Sequence, residues 1–279
     1  MREIKKEEVI NLIQKLVHEA CCVVDNSTLS GLKMSLNQET SPLGQKIIQE
    51  VIKNDELACQ QKKPICQDTG IVVCFVKVGQ ECYIAFDLTE AINEGIRMAY
   101  CEGYYRNSVV KDPLDRVNTG DNTPAIIYYD FIEGDKISIT LAPKGAGSEN
   151  MSTIKMLTPA DGIESIKKFV LETIKEKGAK ACPPIIVGLG IGGDFEKCAM
   201  LAKEALMDEL DQPYENLQMA QLAIQLKEAI NELGIGPMGL GGATTCLGVR
   251  IKTYPCHIAS LPVAINIQCH VSRHAKGVI

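Results

Sequence analysis

The stretch PPIIVGLGIGGDFEKCAMLAKEALMDELDQPYEN, residues 183–216, decides which fold class the chain can adopt. Its apolar run 183–191 reads as a buried strand, and GLGIGG then leads into a helical pattern that starts at Asp194. A dinucleotide-binding fold needs a second strand after that helix, ending on an acidic residue that can reach a ribose. Here the helix runs instead into MDELDQPYEN, which is polar and broken by Pro213. The doubly wound reading stops there.

Outward from this stretch, helices and strands alternate without a βαβ rhythm, so the expected class is α+β. Mixed, largely antiparallel sheets should pack with helices and carry the active-site loops at their strand ends. Helical periodicity is clearest over residues 5–21, 41–61, 89–105 and 214–234. Ser41 and Pro42 suit the N-cap and first position of the second helix, and Gly234 suits the end of the last. Strand candidates are IVVCFVKV (71–78), CYIAFDL (82–88), PAIIYYDFI (124–132), KISITLAP (136–143), PPIIVGLGI (183–191), CLGVRIKTY (246–254) and PVAINIQC (262–269).

Composition excludes several classes of function. A chain of 279 residues with 46% hydrophobic and 23% charged residues is long enough to bury a substantial core. A net charge of −6 argues against nucleic-acid binding, which relies on basic surface. No apolar run approaches a membrane span, and MREIKKEEVINLIQ lacks the uncharged core of a secretory signal, so a cytoplasmic location is expected. Twelve cysteines without a single CxxC exclude zinc ribbons and ferredoxin-type runs. In a reducing compartment most would be small buried hydrophobes.

Chemistry concentrates in loops. KPICQDTG (63–70) packs a thiol, an amide, a carboxylate and a hydroxyl between a proline and a glycine. DPLDRVNTGDNTP, APKGAGSENMS, KACPPIIVGLGIGG, GIGPMGLGGATT and YPCHIASLP are likewise rich in glycine, proline and small polar residues. Such turns let backbone N–H groups approach a ligand closely. Several of them beside a cysteine or histidine point to a site assembled from strand termini.

With ICQDTG, VNTGDNTPA, PKGAGSENMS, ACPPIIVGLGIGG and HIASLPVAINIQCHVSRHAKGVI in this order, the chain resembles the class I, iron–sulfur fumarate hydratases over essentially its whole length. More narrowly it resembles the α subunit of their two-subunit form, of which the α subunit of L-tartrate dehydratase is a close relative. The resemblance implies that residues 1–279 form a single iron–sulfur hydro-lyase α-subunit domain, equivalent to the N-terminal domain of single-chain members. It implies a [4Fe–4S] cluster held by Cys66, Cys182 and Cys269, with one iron left open as a Lewis acid. Cys246 and Cys256 do not fall on ligand positions and are assigned to packing.

By the same resemblance Gln67, Arg106 and Gly147 bind a small dicarboxylate, while Asp68 and His257 take catalytic roles. An arginine fork suits a carboxylate, and glycine permits a close backbone approach. Asp68 could equally be an Asx turn before Gly70, a role that does not exclude the first. The half of the site that single-chain members draw from a second domain would come from a β subunit, and the α chains would pair with one another. The implied reaction is the reversible hydration of fumarate to (S)-malate. Dehydration of L-tartrate to oxaloacetate is the nearest alternative, and a non-catalytic iron–sulfur sensor a more distant one.

Overall fold

Gly188 and Gly190, inside the GLGIGG stretch, explain why the chain puts glycine in a buried strand. A Cβ at Gly190 would lie 2.0 Å from the Cys198 carbonyl oxygen, and one at Gly188 2.1 Å from that of Ala202. These carbonyls belong to the helix that follows, so the missing side chains let it lie directly on the strand. The glycines serve packing. No nucleotide is needed to account for them.

The computed structural model describes residues 1–279. In chain order the first elements are β1 (Arg2–Ile4), α1 (Lys6–Cys22), α2 (Asn26–Gln38), α3 (Pro42–Gln61), β2 (Ile71–Gly79) and β3 (Cys82–Ile84). Next come α4 (Leu88–Glu102), β4 (Ile126–Ile132), β5 (Ile137–Lys144), α5 (Ala146–Glu149), β6 (Thr153–Leu157) and α6 (Gly162–Lys177). The last are β7 (Ile185–Gly192), α7 (Phe195–Ala205), α8 (Leu217–Glu232), β8 (Cys246–Tyr254), β9 (Leu261–Gln268) and β10 (Ala275–Val278). The fold is α+β with mixed sheets, and it divides into two compact units.

The first unit comprises Met1–Val24, Asp55–Ala146 and Arg273–Ile279. Its main sheet has the order β10-β5-β2-β4, with β2 antiparallel to β5 and parallel to β4. Val72, Cys74 and Val76 of β2 and Ile137, Ile139 and Leu141 of β5 alternate onto one face. There they pack with Val9, Ile13 and Leu16 of α1 and Ile92 and Ile96 of α4. Of the expected strand CYIAFDL only β3 forms, parallel to β1. The strand stops there and the chain turns into α4, whose N-cap is Asp87, its carboxylate accepting from the Glu90 N–H at 3.0 Å.

The second unit comprises Asp25–Asn54 and Gly147–Ser272. Its sheet has the order β6-β9-β7-β8. Ile185, Val187 and Leu189 of β7 face α6 and α8, which bring Val170, Ile174, Leu222, Leu226 and Ile230 to the core. Cys198 and Ala202 of α7 pack with Ala264 of β9. Ser41 accepts from the Gly44 N–H at 3.2 Å, so α3 begins as its sequence indicates. Helices α2 and α6 and strands β1, β6 and β10 are not among the expected elements, although Ile166, Phe169, Val170 and Ile174 give α6 a buried face at helical spacing.

Glu39 ties the glycine-rich segment 236–245 into this unit. It is 2% exposed, and its carboxylate accepts from the N–H groups of Thr40, Ser41, Ala243 and Thr244 at 2.8–3.0 Å. Burial opposes its ionisation, but these donors outweigh the burial and hold its carboxyl below the ordinary value. The same segment reaches the Cys182 turn, where the Met238 N–H donates to the Pro183 carbonyl at 2.8 Å.

Candidate active site

One end of the first unit's sheet collects three of the loops singled out by sequence. ICQDTG enters β2, the residue before Ile71 being Gly70, and β5 leaves beside it because Ile71 pairs with Lys144. Segment 106–124 enters β4, which runs parallel to β2. Gly70 has φ +71, and a Cβ there would meet the Lys144 backbone at 2.5 Å, so only glycine passes at this point.

Backbone carbonyls and short polar side chains lock the loops together. The Tyr100 hydroxyl donates to the Thr69 carbonyl at 2.7 Å. Thr69 Oγ1 donates to the Arg106 carbonyl at 3.0 Å, and Asn122 Nδ2 to the Gly70 carbonyl at 3.1 Å. Asn122 also accepts from the Ser108 N–H at 2.6 Å. Asp68 Oδ1 accepts from the Gly70 N–H, the Asx turn expected there, and Oδ2 accepts from the Ala146 N–H, each at 3.0 Å. The buried Arg273 donates from Nη1 to the Asp68 carbonyl at 2.7 Å. Cys66, Gln67, Asp68 and the Arg106 backbone are thereby assembled at one end of the sheet, with Gln67 and the Arg106 side chain exposed.

The second unit gathers its own set at one end of its sheet. Cys182 precedes β7 and Cys269 follows β9, and these strands pair antiparallel with Ile186 opposite Gln268. The His270 N–H donates to the Cys182 carbonyl at 3.4 Å, so two segments remote in sequence meet through their backbones. Cys182 has φ +53 and is exposed. Gly147 stands at the same end, because the segment that carries it leads into β6, whose Thr153 pairs with Ile265 of β9. A Cβ built on Gly147 would meet nothing within 4 Å, and its φ is not in the left-handed region. Neither packing nor conformation demands glycine there, so the open space suits close approach by a ligand.

His257 is not brought to this end. It lies in the loop between β8 and β9, where Gly192 pairs with Tyr254, at the opposite end of the sheet from Cys182 and Cys269. The length of β7 separates the two ends, about 25 Å at the usual rise per residue. The ring is exposed, and its Nδ1 accepts from the Ala259 N–H at 3.1 Å, which leaves Nε2 available to a substrate.

The thiols sort by environment. Burial pushes Cys74 and Cys246 up to about 12, and Cys246 Sγ lies 3.2 Å from the Gly248 carbonyl within β8. Such groups resist the ionisation that metal ligation requires. Cys59 and Cys101 ride on helices, and Cys256 shares the far loop with His257, its Sγ 3.3 Å from the Ser260 carbonyl. Cys66, Cys182 and Cys269 are partly or fully exposed and lie in loops at the two sheet ends described. Three accessible thiols on loops fit the donor chemistry of an iron–sulfur cluster. No three His, Cys, Asp or Glu side chains stand together in a group able to hold a metal ion. Sequence reasoning does not single out Tyr100, Asn122 or Arg273, although Asn122 lies in VNTGDNTPA and Arg273 four residues after Cys269.

Both the loops and their order are those of a known family. Residues 10–278 match the model of the fumarate hydratase (Fumerase) family, and the chain belongs to that family. Its members' chemistry makes it a hydro-lyase of the class I fumarate hydratase type. Among its relatives is a Methanocaldococcus jannaschii protein named, provisionally, L(+)-tartrate dehydratase subunit alpha, 42% identical over 96% of each chain. The L(+)-tartrate dehydratase subunit alpha of Escherichia coli strain UTI89 is 31% identical, and that of strain K12 30%, each over 100% of this chain and 94% of its own length. No helix is long and apolar enough to cross a membrane.

Proposed function

We propose that residues 1–279 act as one domain, the α subunit of a cytoplasmic [4Fe–4S]-dependent fumarate hydratase that interconverts (S)-malate with fumarate and water. The observation that carries this reading is the meeting of the Cys182 and Cys269 segments at one sheet end, since both are ligand positions of the family. Cys66, Cys182 and Cys269 hold the cluster. When bound it would supply a Lewis acid for the substrate hydroxyl and carboxylate.

The remaining roles belong to the chain's own side chains. Arg106 grips one carboxylate with its guanidinium fork, which fixes orientation as well as charge. The Gln67 amide donates to the same dianion, and the open space over Gly147 lets backbone N–H groups approach it. Asp68, aimed by its two backbone donors, orients water or moves a proton. A β subunit completes the site, a partner that the relatives' subunit names support. His257 Nε2 hydrogen-bonds a substrate carboxylate or acts as an acid in a second α chain's site, which gives α–α pairing a catalytic purpose. The distance between His257 and the Cys182–Cys269 end of its own sheet supports that arrangement.

The relatives' names favour a second reading with the same machinery, dehydration of L-tartrate to oxaloacetate. The two substrates differ by one hydroxyl, so the same loops serve either. Anaerobic assays of the chain co-expressed with its β subunit separate them. A kcat/KM for (S)-malate at least tenfold above that for L-tartrate is expected, about 1.4 kcal/mol of discrimination. The reverse ratio establishes the second reading, and turnover of neither refutes both.

A further inference from the structure

Gly147 has no side chain by which its turn could be held, yet a backbone that approaches a substrate must be held. The anchoring comes from the residues that follow. Glu149, the last residue of α5, is ion-paired with Lys203 of α7, whose side chain is 12% exposed. The other Glu149 oxygen accepts from Asn266 Nδ2 at 3.0 Å. The same amide donates to Ser152 Oγ at 3.1 Å, and Ser152 Oγ also accepts from the Ile267 N–H at 3.1 Å. Two backbone bonds close the turn, Met151 N–H to Ser148 and Ser152 N–H to Glu149, at 3.1 and 3.0 Å.

Asn266 is a costly choice for stability alone. It is 6% exposed near the end of β9, and its Oδ1 is buried without a hydrogen-bond partner. An apolar residue would avoid that unmatched carbonyl, so what the position uses is the amide's pair of donors. Those donors reach the two side chains that bracket the end of the Gly147 turn. Asn266 also stands three positions before Cys269, on the strand that ends at that thiol. One strand therefore sets both the turn and the start of the ligand segment.

We propose that Lys203, Glu149 and Asn266 are positioning residues that hold the Gly147 turn against the substrate, in register with Cys269. This rests on the proposed contact between Gly147 and a dicarboxylate. The network lies outside the reacting atoms: its effect is on how well the substrate is gripped, through a contact made equally in ground and transition states. Loss of such a contact raises KM and spares kcat.

The test uses the α–β enzyme with Lys203→Met, and the exchanged pair Lys203→Glu with Glu149→Lys. Lys203→Met is expected to raise KM at least tenfold, with kcat within threefold and iron per chain unchanged. Amide hydrogen exchange over residues 147–152 should quicken at least tenfold while β7 stays protected, and the exchanged pair should restore both readings to within threefold. Asn266→Ser, which removes the two amide donors without leaving a charge, supplies the same readings where Lys203→Met does not fold. Unchanged KM and unchanged exchange overturn the proposal. So does a KM rise that appears only together with lost iron and a lowered unfolding midpoint, the mark of a merely structural role. Wild-type enzyme inactive on both substrates would refute the hydro-lyase reading, while the exchange data would still decide whether these residues hold the turn.

Discussion

At the scale of single residues, Glu39 and the thiols show environment deciding chemistry. The N–H groups of Ser41, Ala243 and Thr244, with the Thr244 side chain, hold the Glu39 carboxyl below its ordinary 4.5 against its burial, so its stabilising contribution is present above that pH and fades as pH falls through the lower, folded-state value. Glu39→Gln should therefore cost about 2 kcal/mol at neutral pH in denaturant unfolding, a penalty that shrinks in acid. A penalty that stays constant well below pH 4.5 would mean the charge contributes nothing. None of this was legible beforehand, because the donors come from residues 40–41 and 243–244, distant stretches that only the fold brings to one carboxylate. The candidate ligands were legible, but only through family motifs. Composition gave twelve equal cysteines, and burial later separated Cys246 from Cys182.

At the scale of elements, the agreement was best where periodicity and caps coincide. Helix α3 starts on Ser41 and Pro42, α8 is followed by Gly234 at φ +66, and β2, β4, β5, β7, β8 and β9 fall on the expected runs. CYIAFDL misled because its alternation runs on into Asp87, the N-cap of α4. GLGIGG lacks the second strand that a nucleotide turn needs, yet the use of its glycines shows only with α7 in place. Gly190→Ala should force α7 off β7 and cost about 3 kcal/mol, read from the urea midpoint at unchanged slope. A loss under about 0.5 kcal/mol would show that the close approach is not required.

At the scale of the whole molecule, His257 marks the limit of reading along the chain. It stands shortly before Cys269 in sequence, but β9 occupies the interval and carries the two to opposite ends of a sheet in which β7 lies between β8 and β9. If paired α chains exchange this histidine, His257→Ala and Cys66→Ser enzymes, each inactive, should regain about a quarter of wild-type activity when mixed and reassociated, because half the pairs carry one intact site. No recovery despite exchange of subunits would place the histidine's role elsewhere. The ligand set Cys66, Cys182 and Cys269 is tested most directly by counting. Iron and sulfide would be measured per chain after anaerobic reconstitution of the wild type and of Cys66→Ser, Cys182→Ser, Cys269→Ser and Cys246→Ser. About four of each are expected, lost in the first three variants and kept in the last. A wild-type chain without stoichiometric iron and sulfide, or a loss confined to Cys246→Ser, would contradict it.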